Sequence, residues 1–193
     1  MINYKVNKKG FALPVSLMLL VVMTLMGVAL VSVTSSDMSS NTEKDDSSQA
    51  FYAAESGISM AKHWLKNQVS YTPGTNPNGQ LRFCKTALFP SLNQNTIKAI
   101  RNSSNQNHIG KSNLGSIISA TGDEKKRLDQ FSYEYFITLS PDSNGNTNSA
   151  QKKPGTNYTL YTIYSCGCDS SNNTCSSTNN NIIALEAVVT IID

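Results

Sequence analysis

Histidine is scarce in this chain of 193 residues, and the residue groupings that enzymes use are missing. The two histidines, His63 and His108, stand at no metal-ligand spacing from any cysteine, which argues against a zinc site. Residues 142–146 alternate oxygen ligands as calcium loops do, but the later glycine and glutamate are absent, so we predict a turn. No Ser/His/Asp set, phosphate-binding glycine loop or plausible carboxylate pair is present. We therefore predict no catalytic residue, no cofactor and no metal, and hence a protein that is not an enzyme.

Charge is absent from one long segment near the N-terminus. No Asp, Glu, Lys or Arg occurs between Lys9 and Asp37, and residues 11–33 supply 23 mostly apolar positions. About 20 such residues cross a bilayer as a helix, so we predict a transmembrane segment over 11–33. Lys5, Lys8 and Lys9 precede it and predict a cytoplasmic N-terminus, with the rest of the chain exported.

An excess of positive charge is also lacking. The chain has 16 Lys and Arg residues against 13 Asp and Glu residues, and three of the lysines lie before residue 11. Without them the two signs balance at 13 each. The run of basic residues at 125–127 lies beside acidic ones. A protein that binds a phosphate backbone needs an extended basic patch, so we predict no nucleic-acid partner.

Proline does not occur between Val15 and Gln68, which allows one uninterrupted helix over residues 11–68. In its second part, small and apolar residues recur three and four positions apart, at Ala50, Ala54, Gly57, Ala61 and Trp64. This spacing predicts an amphipathic helix whose small residues allow another element to approach its backbone.

Prolines and glycines at 71–79 end the helix, and residues 69–193 are predicted to form a head domain. Strand signals cover residues 131–139, 158–166 and 182–192, and short helices are predicted at 95–100 and 114–119. We therefore expect an α+β fold. A long N-terminal spine helix, transmembrane in its first half, packs through its second half on a small antiparallel sheet.

Four cysteines lie on the predicted exported side, where disulfides persist: Cys84, Cys166, Cys168 and Cys175. A bond between Cys166 and Cys168, one glycine apart, would be strained. We favour Cys84–Cys166 with Cys168–Cys175, and the exchange of Cys166 and Cys168 stays open. A redox-active Cys166-Gly-Cys168 dithiol is disfavoured, because the charge of Asp169 opposes a thiolate.

The junction Lys8-Lys9-Gly10-Phe11 at the head of the apolar run resembles the processing site of type IV prepilins. The resemblance implies that residues 1–10 are a leader, that a prepilin peptidase cuts after Gly10, and that Phe11 becomes a methylated N-terminus. A secretory signal would have a shorter apolar region and a small-x-small cleavage site. Residues 50–58, Ala-Phe-Tyr-Ala-Ala-Glu-Ser-Gly-Ile, resemble PilX-like minor pilins, and the likeness covers about residues 10–65.

One position departs from the usual pilin pattern. Most pilins carry Glu at the fifth mature position, where this chain has Val15. In the family that Glu is thought to pair with a neighbouring subunit's N-terminus, and in secretion-system pseudopilins the tip subunit is the one that lacks it. The resemblance therefore implies a minor subunit near a filament tip, with residues 13–33 as the packing face. Glu55 is a candidate interface residue, and an ordinary surface glutamate of the helix is the alternative.

The resemblance predicts a minor pilin of a type IV pilus, made as an inner-membrane precursor and extracellular after assembly. Its partners would be other pilin subunits, the prepilin peptidase and the pilus assembly machinery. Three alternatives stay open: a type II secretion pseudopilin, a permanently anchored adhesive or sensory ectodomain, and a periplasmic thiol oxidoreductase. The mature N-terminus separates the pilin from the anchored protein.

Overall fold

A computed structural model describes residues 12–67, 72–169, 175 and 182–192. The chain divides into two compact units, Met1–Asp45 and Asp46–Asp193, and the boundary falls inside the helix α1, Ala12–Lys66. The predicted processing residues Gly10 and Phe11 lie outside the described residues. The α+β architecture expected from the sequence, a long N-terminal helix followed by a small antiparallel sheet, is confirmed.

In the first unit, the described residues are the N-terminal part of α1. Its apolar side chains are exposed, and an 18-residue window of α1 has a mean hydropathy of 2.5. Hydroxyl groups in this part donate to carbonyls of the preceding turn, as Ser16 does to Leu13 at 2.9 Å and Thr24 to Val21 at 2.8 Å. Internal pairing of these hydroxyls lowers the cost of placing them in lipid. The segment is therefore consistent with a membrane anchor.

Among its described residues, the second unit contains the end of α1, five strands, two short α-helices and two 3-10 turns, Pro77–Gly79 and Thr86–Leu88. The strands are β1 (Ile109–Asn113), β2 (Phe131–Leu139), β3 (Gln151–Lys152), β4 (Tyr158–Asp169) and β5 (Ile182–Ile192). The helices are α2 (Leu114–Ile117) and α3 (Gly122–Leu128). All pairings between these strands are antiparallel: β2 lies between β1 and β4, and β4 also pairs with β3 and, over residues 158–168, with β5.

The three strands expected from the sequence are present, and β4 runs three residues past its predicted end. The helix predicted at 95–100 is wrong. That segment forms turns and then a bridge in which Ala99 lies opposite Thr138 and the Ile100 amide donates to the Ile137 carbonyl. Pairing with the edge of the sheet outweighed a weak local helical pattern. The strands β1 and β3 and the helix α3 carried no clear sequence signal.

Both faces of the sheet are covered. Odd-numbered residues of β2 and β4 face α1 and form one core with it, which includes Ala53, Ala61, Leu65, Tyr133, Ile137 and Ile163. Even-numbered residues face a second core beneath the chain between α1 and β1, which includes Leu81, Phe83, Phe89, Phe136 and Tyr164. The aromatic strands therefore lie between the spine helix and a loop layer.

Close packing of β4 on α1 confirms the role expected of the small helical residues. Ala50, Ala54 and Gly57 are buried, and the Ser165 hydroxyl donates to the Ala54 carbonyl at 2.8 Å. A methyl group built on Gly57 would overlap the Ser165 hydroxyl, and one on Gly167 would overlap the carbonyl oxygen of Ala50. Here the absence of side chains allows the helix and the strand to touch through their backbones.

Candidate functional site

The exposed side of α1 is the candidate functional surface. On α1, the side facing the sheet carries small residues, whereas Phe51, Tyr52 and Met60 are exposed by 42, 54 and 42%. Phe51 and Tyr52 form an edge-to-face pair with ring centroids 6.1 Å apart. Neighbouring aromatic rings that are exposed to water are typical of sites that contact another molecule. Glu55, the candidate interface residue, is also exposed on this helix.

The predicted packing face also lies on α1. Most large apolar side chains of residues 13–33 are more than half exposed, and Val15 is 48% exposed. This face belongs to the first unit and the aromatic pair to the second. Each is available for contact with another chain, because the described residues of its own unit leave it uncovered.

The four cysteines form two disulfides, Cys84–Cys166 and Cys168–Cys175. This is the pairing that the sequence favoured, and the exchanged pairing is not the one formed. Cys84, Cys166 and Cys168 are fully buried, so no attacking thiolate can reach them without local unfolding. Their arrangement serves the stability of the head and gives no support to a thiol oxidoreductase.

A buried carboxylate was missed from the sequence. Glu134 is fully buried on the face that carries Cys166, and its carboxylate accepts bonds from the backbone amides of Arg82, Phe83 and Cys84, each at 3.0 Å. Three successive amides form a cradle for an anion. The carboxylate therefore fixes the loop that carries Cys84 against the sheet, and it is not available for chemistry.

The predicted turn at 142–146 is present. The Asp142 carboxylate accepts bonds from the backbone amide and the side-chain amide of Asn146, at 2.9 and 3.1 Å, and from the backbone amide of Asn144 at 2.8 Å. These bonds lower the pKa of Asp142. Gly145 has φ +77°, which only glycine adopts without strain. Among the residues that the structure describes, no group of three or more His, Cys, Asp and Glu side chains could hold a metal ion.

The two histidines differ in their surroundings. His63 is exposed on α1, whereas His108 is half-buried, with its ring stacked 3.6 Å from that of Trp64. The His108 Nε2 lies 3.1 Å from the Tyr135 hydroxyl. Burial lowers the pKa of His108 to about 4 and raises that of Tyr135 to about 12, so both are neutral at pH 7.

The lowered pKa of His108 predicts that the protein loses stability in mild acid. The folded-state pKa of His108 is about 4, whereas the ordinary pKa of a histidine exposed to water is 6.5. Its contribution is therefore fully present above pH 6.5 and is lost as the pH falls towards 4. We expect a loss on the order of 1 kcal/mol between pH 7.5 and 4.5, a value reduced for the partial exposure of the ring. Urea unfolding of the full chain at the two pH values, followed by fluorescence of the single tryptophan, measures it.

His108→Gln isolates the effect, because glutamine does not titrate in this range. The variant should lose less stability than the wild type between pH 7.5 and 4.5, because every other titratable group is common to both proteins. An equal loss in the two proteins would contradict the assignment to His108.

Comparison with known proteins identifies the N-terminal region. Residues 9–59 match the family model described as PilX N-terminal, so this region is similar to the N-terminal region of PilX-like type IV pilins. The match covers about a quarter of the chain and includes both the apolar face and the aromatic pair. No curated protein and no solved structure matches this chain.

Proposed function

We propose that this chain is a minor pilin, made as a prepilin, cleaved after Gly10 and assembled into a type IV pilus or its tip. One observation carries the proposal: the PilX-like segment coincides with a helix whose apolar residues 13–33 are exposed while its C-terminal part holds the head domain. Such a helix can exchange lipid contacts for packing against the helices of neighbouring subunits.

Three further features support this function. The lysines before Gly10 favour a cytoplasmic N-terminus, where a prepilin peptidase would act. Val15 replaces the acidic residue usual at the fifth mature position, which suits a minor subunit at the tip rather than a repeating one. The buried disulfides suit an exported head domain. The protein then acts by assembly rather than by catalysis, with other pilins and the assembly machinery as its partners.

Mass spectrometry of the protein from its native cells tests the cleavage step. We expect the mature chain to begin at methylated Phe11. Gly10→Val should leave the leader attached and remove the protein from sheared filaments, because a branched side chain replaces the residue at the cleaved bond.

Gly27→Ala is the matched control. Gly27 lies in the same apolar run, and a methyl group there meets nothing within 4 Å, so processing should be unaffected. An intact Met1 on the wild-type protein, with none of it in filaments, would refute the proposal and favour a permanently anchored ectodomain. Cleavage at Gly10 with recovery only in type II secretion complexes would identify a pseudopilin instead.

A further inference from the structure

The strand β5 has one open edge. It pairs with β4 from end to end, and among the strands that the structure describes it has no second neighbour. Its 11 residues correspond to roughly 36 Å of strand. Alternate amides and carbonyls along this edge point away from the sheet, where another chain could pair with them.

Nothing in the sequence of β5 protects that edge. Natural edge strands are kept apart by lysines, prolines, bulges or short length. Residues 182–192 contain no lysine, proline or glycine, and Glu186 is their single charged residue. Glu186 accepts a hydrogen bond from the Ser91 hydroxyl at 2.8 Å on the face away from α1. Val188 and Ile192 on that same face are 60 and 69% exposed. The edge is apolar and suited to strand pairing.

A groove of about 320 Å³ lies beside the last part of this strand. One wall is formed by Lys62, Leu65 and Lys66 at the end of α1, and the other by residues 188–191 of β5. Val189 and Ile191 pack against the core shared with the helix and provide an apolar floor. The groove and the strand edge are therefore parts of one surface.

The groove has a positive rim. Lys62 and Lys66 are exposed one helical turn apart, and neither takes part in an ion pair between described residues. The helix-facing residues of β5 are Ile183, Leu185, Ala187, Val189 and Ile191, and none of them is charged. An occupant of this groove gains most if it carries a carboxylate at the rim and apolar side chains on the floor.

We infer that this surface binds an extended, acidic segment of another exported protein, which adds a strand beside β5. Backbone bonds to the open edge would supply affinity, and a carboxylate near Lys62 and Lys66 would supply specificity. A second copy of β5 fits less well, because none of the helix-facing residues within 182–192 is acidic and the sequence places its first acid beyond Glu186 only at Asp193.

Peptide binding to the full chain in lipid nanodiscs tests the inference. The probe is a fluorescent peptide of about nine residues with valine at alternate positions and two aspartates near one end. A second peptide carries two lysines in their place. We expect the acidic peptide to bind about tenfold more tightly, as two exposed charge pairs would give. Hydrogen exchange should slow at the outward amides of β5, and N-methylation of the peptide should weaken binding.

Lys62→Glu with Lys66→Glu should reverse the preference between the two peptides. Lys98→Glu with Lys111→Glu makes the same charge change at exposed sites outside the groove and should leave the preference unchanged. Both variants alter only exposed side chains, and equal thermal unfolding to the wild type would show that both fold.

Three results would overturn the inference. One is equal binding of the two peptides to the wild type, and another is protection of amides elsewhere than on β5. The third is dimerisation of the full chain that Val188→Lys abolishes, which would make a second copy the occupant. The assay needs neither leader cleavage nor a filament, so its failure leaves the pilin proposal standing, and an uncleaved protein could still bind the peptide.

Discussion

Gly167→Ala is expected to destabilise the head domain by about 2–3 kcal/mol, although it adds a single methyl group. In most strands this change is favourable, because alanine loses less conformational entropy than glycine on folding. Here the new methyl group would overlap the Ala50 carbonyl oxygen and lie 2.7 Å from the Ala54 amide nitrogen. Both are backbone atoms of α1, so relief requires the helix to move off the sheet. Urea unfolding of the full chain in detergent, reported by the fluorescence of Trp64, measures the loss.

Gly79→Ala is the control for this prediction. A methyl group at Gly79 meets nothing within 4 Å, so its effect on stability should lie within about 0.5 kcal/mol. Gly57→Ala should fall between the two, because its methyl group meets the Ser165 hydroxyl, a side chain that can rotate. Equal urea midpoints for Gly167→Ala and wild type would show that α1 and β4 are not in backbone contact.

Local sequence patterns predicted the elements that bury apolar side chains with a regular period. α1 follows from an apolar run and the absence of proline, and β2 from alternating aromatic residues. The strand β1 carries Gly110, Lys111, Ser112 and Asn113, which have no such signal. It forms because β2 offers it a partner, and its glycine lies against the Tyr135 ring, where a methyl group would overlap it.

The burial of the Glu134 carboxylate could not be predicted from the sequence pattern of β2, because both faces of this strand are covered. Glu134 stands between two tyrosines in β2, and a strand with one covered face would turn it to solvent. The second face is covered too, and the three amides that hold the carboxylate come from about 50 residues earlier in the chain. A glutamate inside a strand of mostly aromatic and apolar residues was the one available signal. Its partners depend on tertiary structure, which spacing along the chain does not reveal.

The apolar face of α1 and the open edge of β5 also differ in whether the sequence predicts them. The apolar face of α1 can be predicted, because a membrane-spanning helix needs a run of about 20 apolar residues. The open edge of β5 cannot be predicted, since the same residues would also suit a central strand with a neighbour on each side. Lys62 and Lys66 appear as ordinary helical lysines until β5 is placed beside them.

Removal of the long disulfide should lower the stability of the head domain more than removal of the short one. Cys84–Cys166 closes a loop with a sequence separation of 82, whereas Cys168–Cys175 closes one of 7. Loop-closure entropy gives roughly 4–5 kcal/mol for the first bond and roughly 2 kcal/mol for the second. Alanine is the appropriate replacement, because serine would place unpaired hydroxyls at three fully buried positions, Cys84, Cys166 and Cys168.

The long bond also has a local effect that the entropy estimate does not include. The Cys84 amide donates to Glu134, which lies directly opposite Cys166 in the sheet, so the disulfide and the amide cradle hold the same loop. Cys84→Ala with Cys166→Ala should therefore lower the urea midpoint of the full chain by at least twice as much as Cys168→Ala with Cys175→Ala. A larger loss from the short bond would mean that the link between Cys168 and Cys175, rather than the loop layer over the second core, limits the stability of the head.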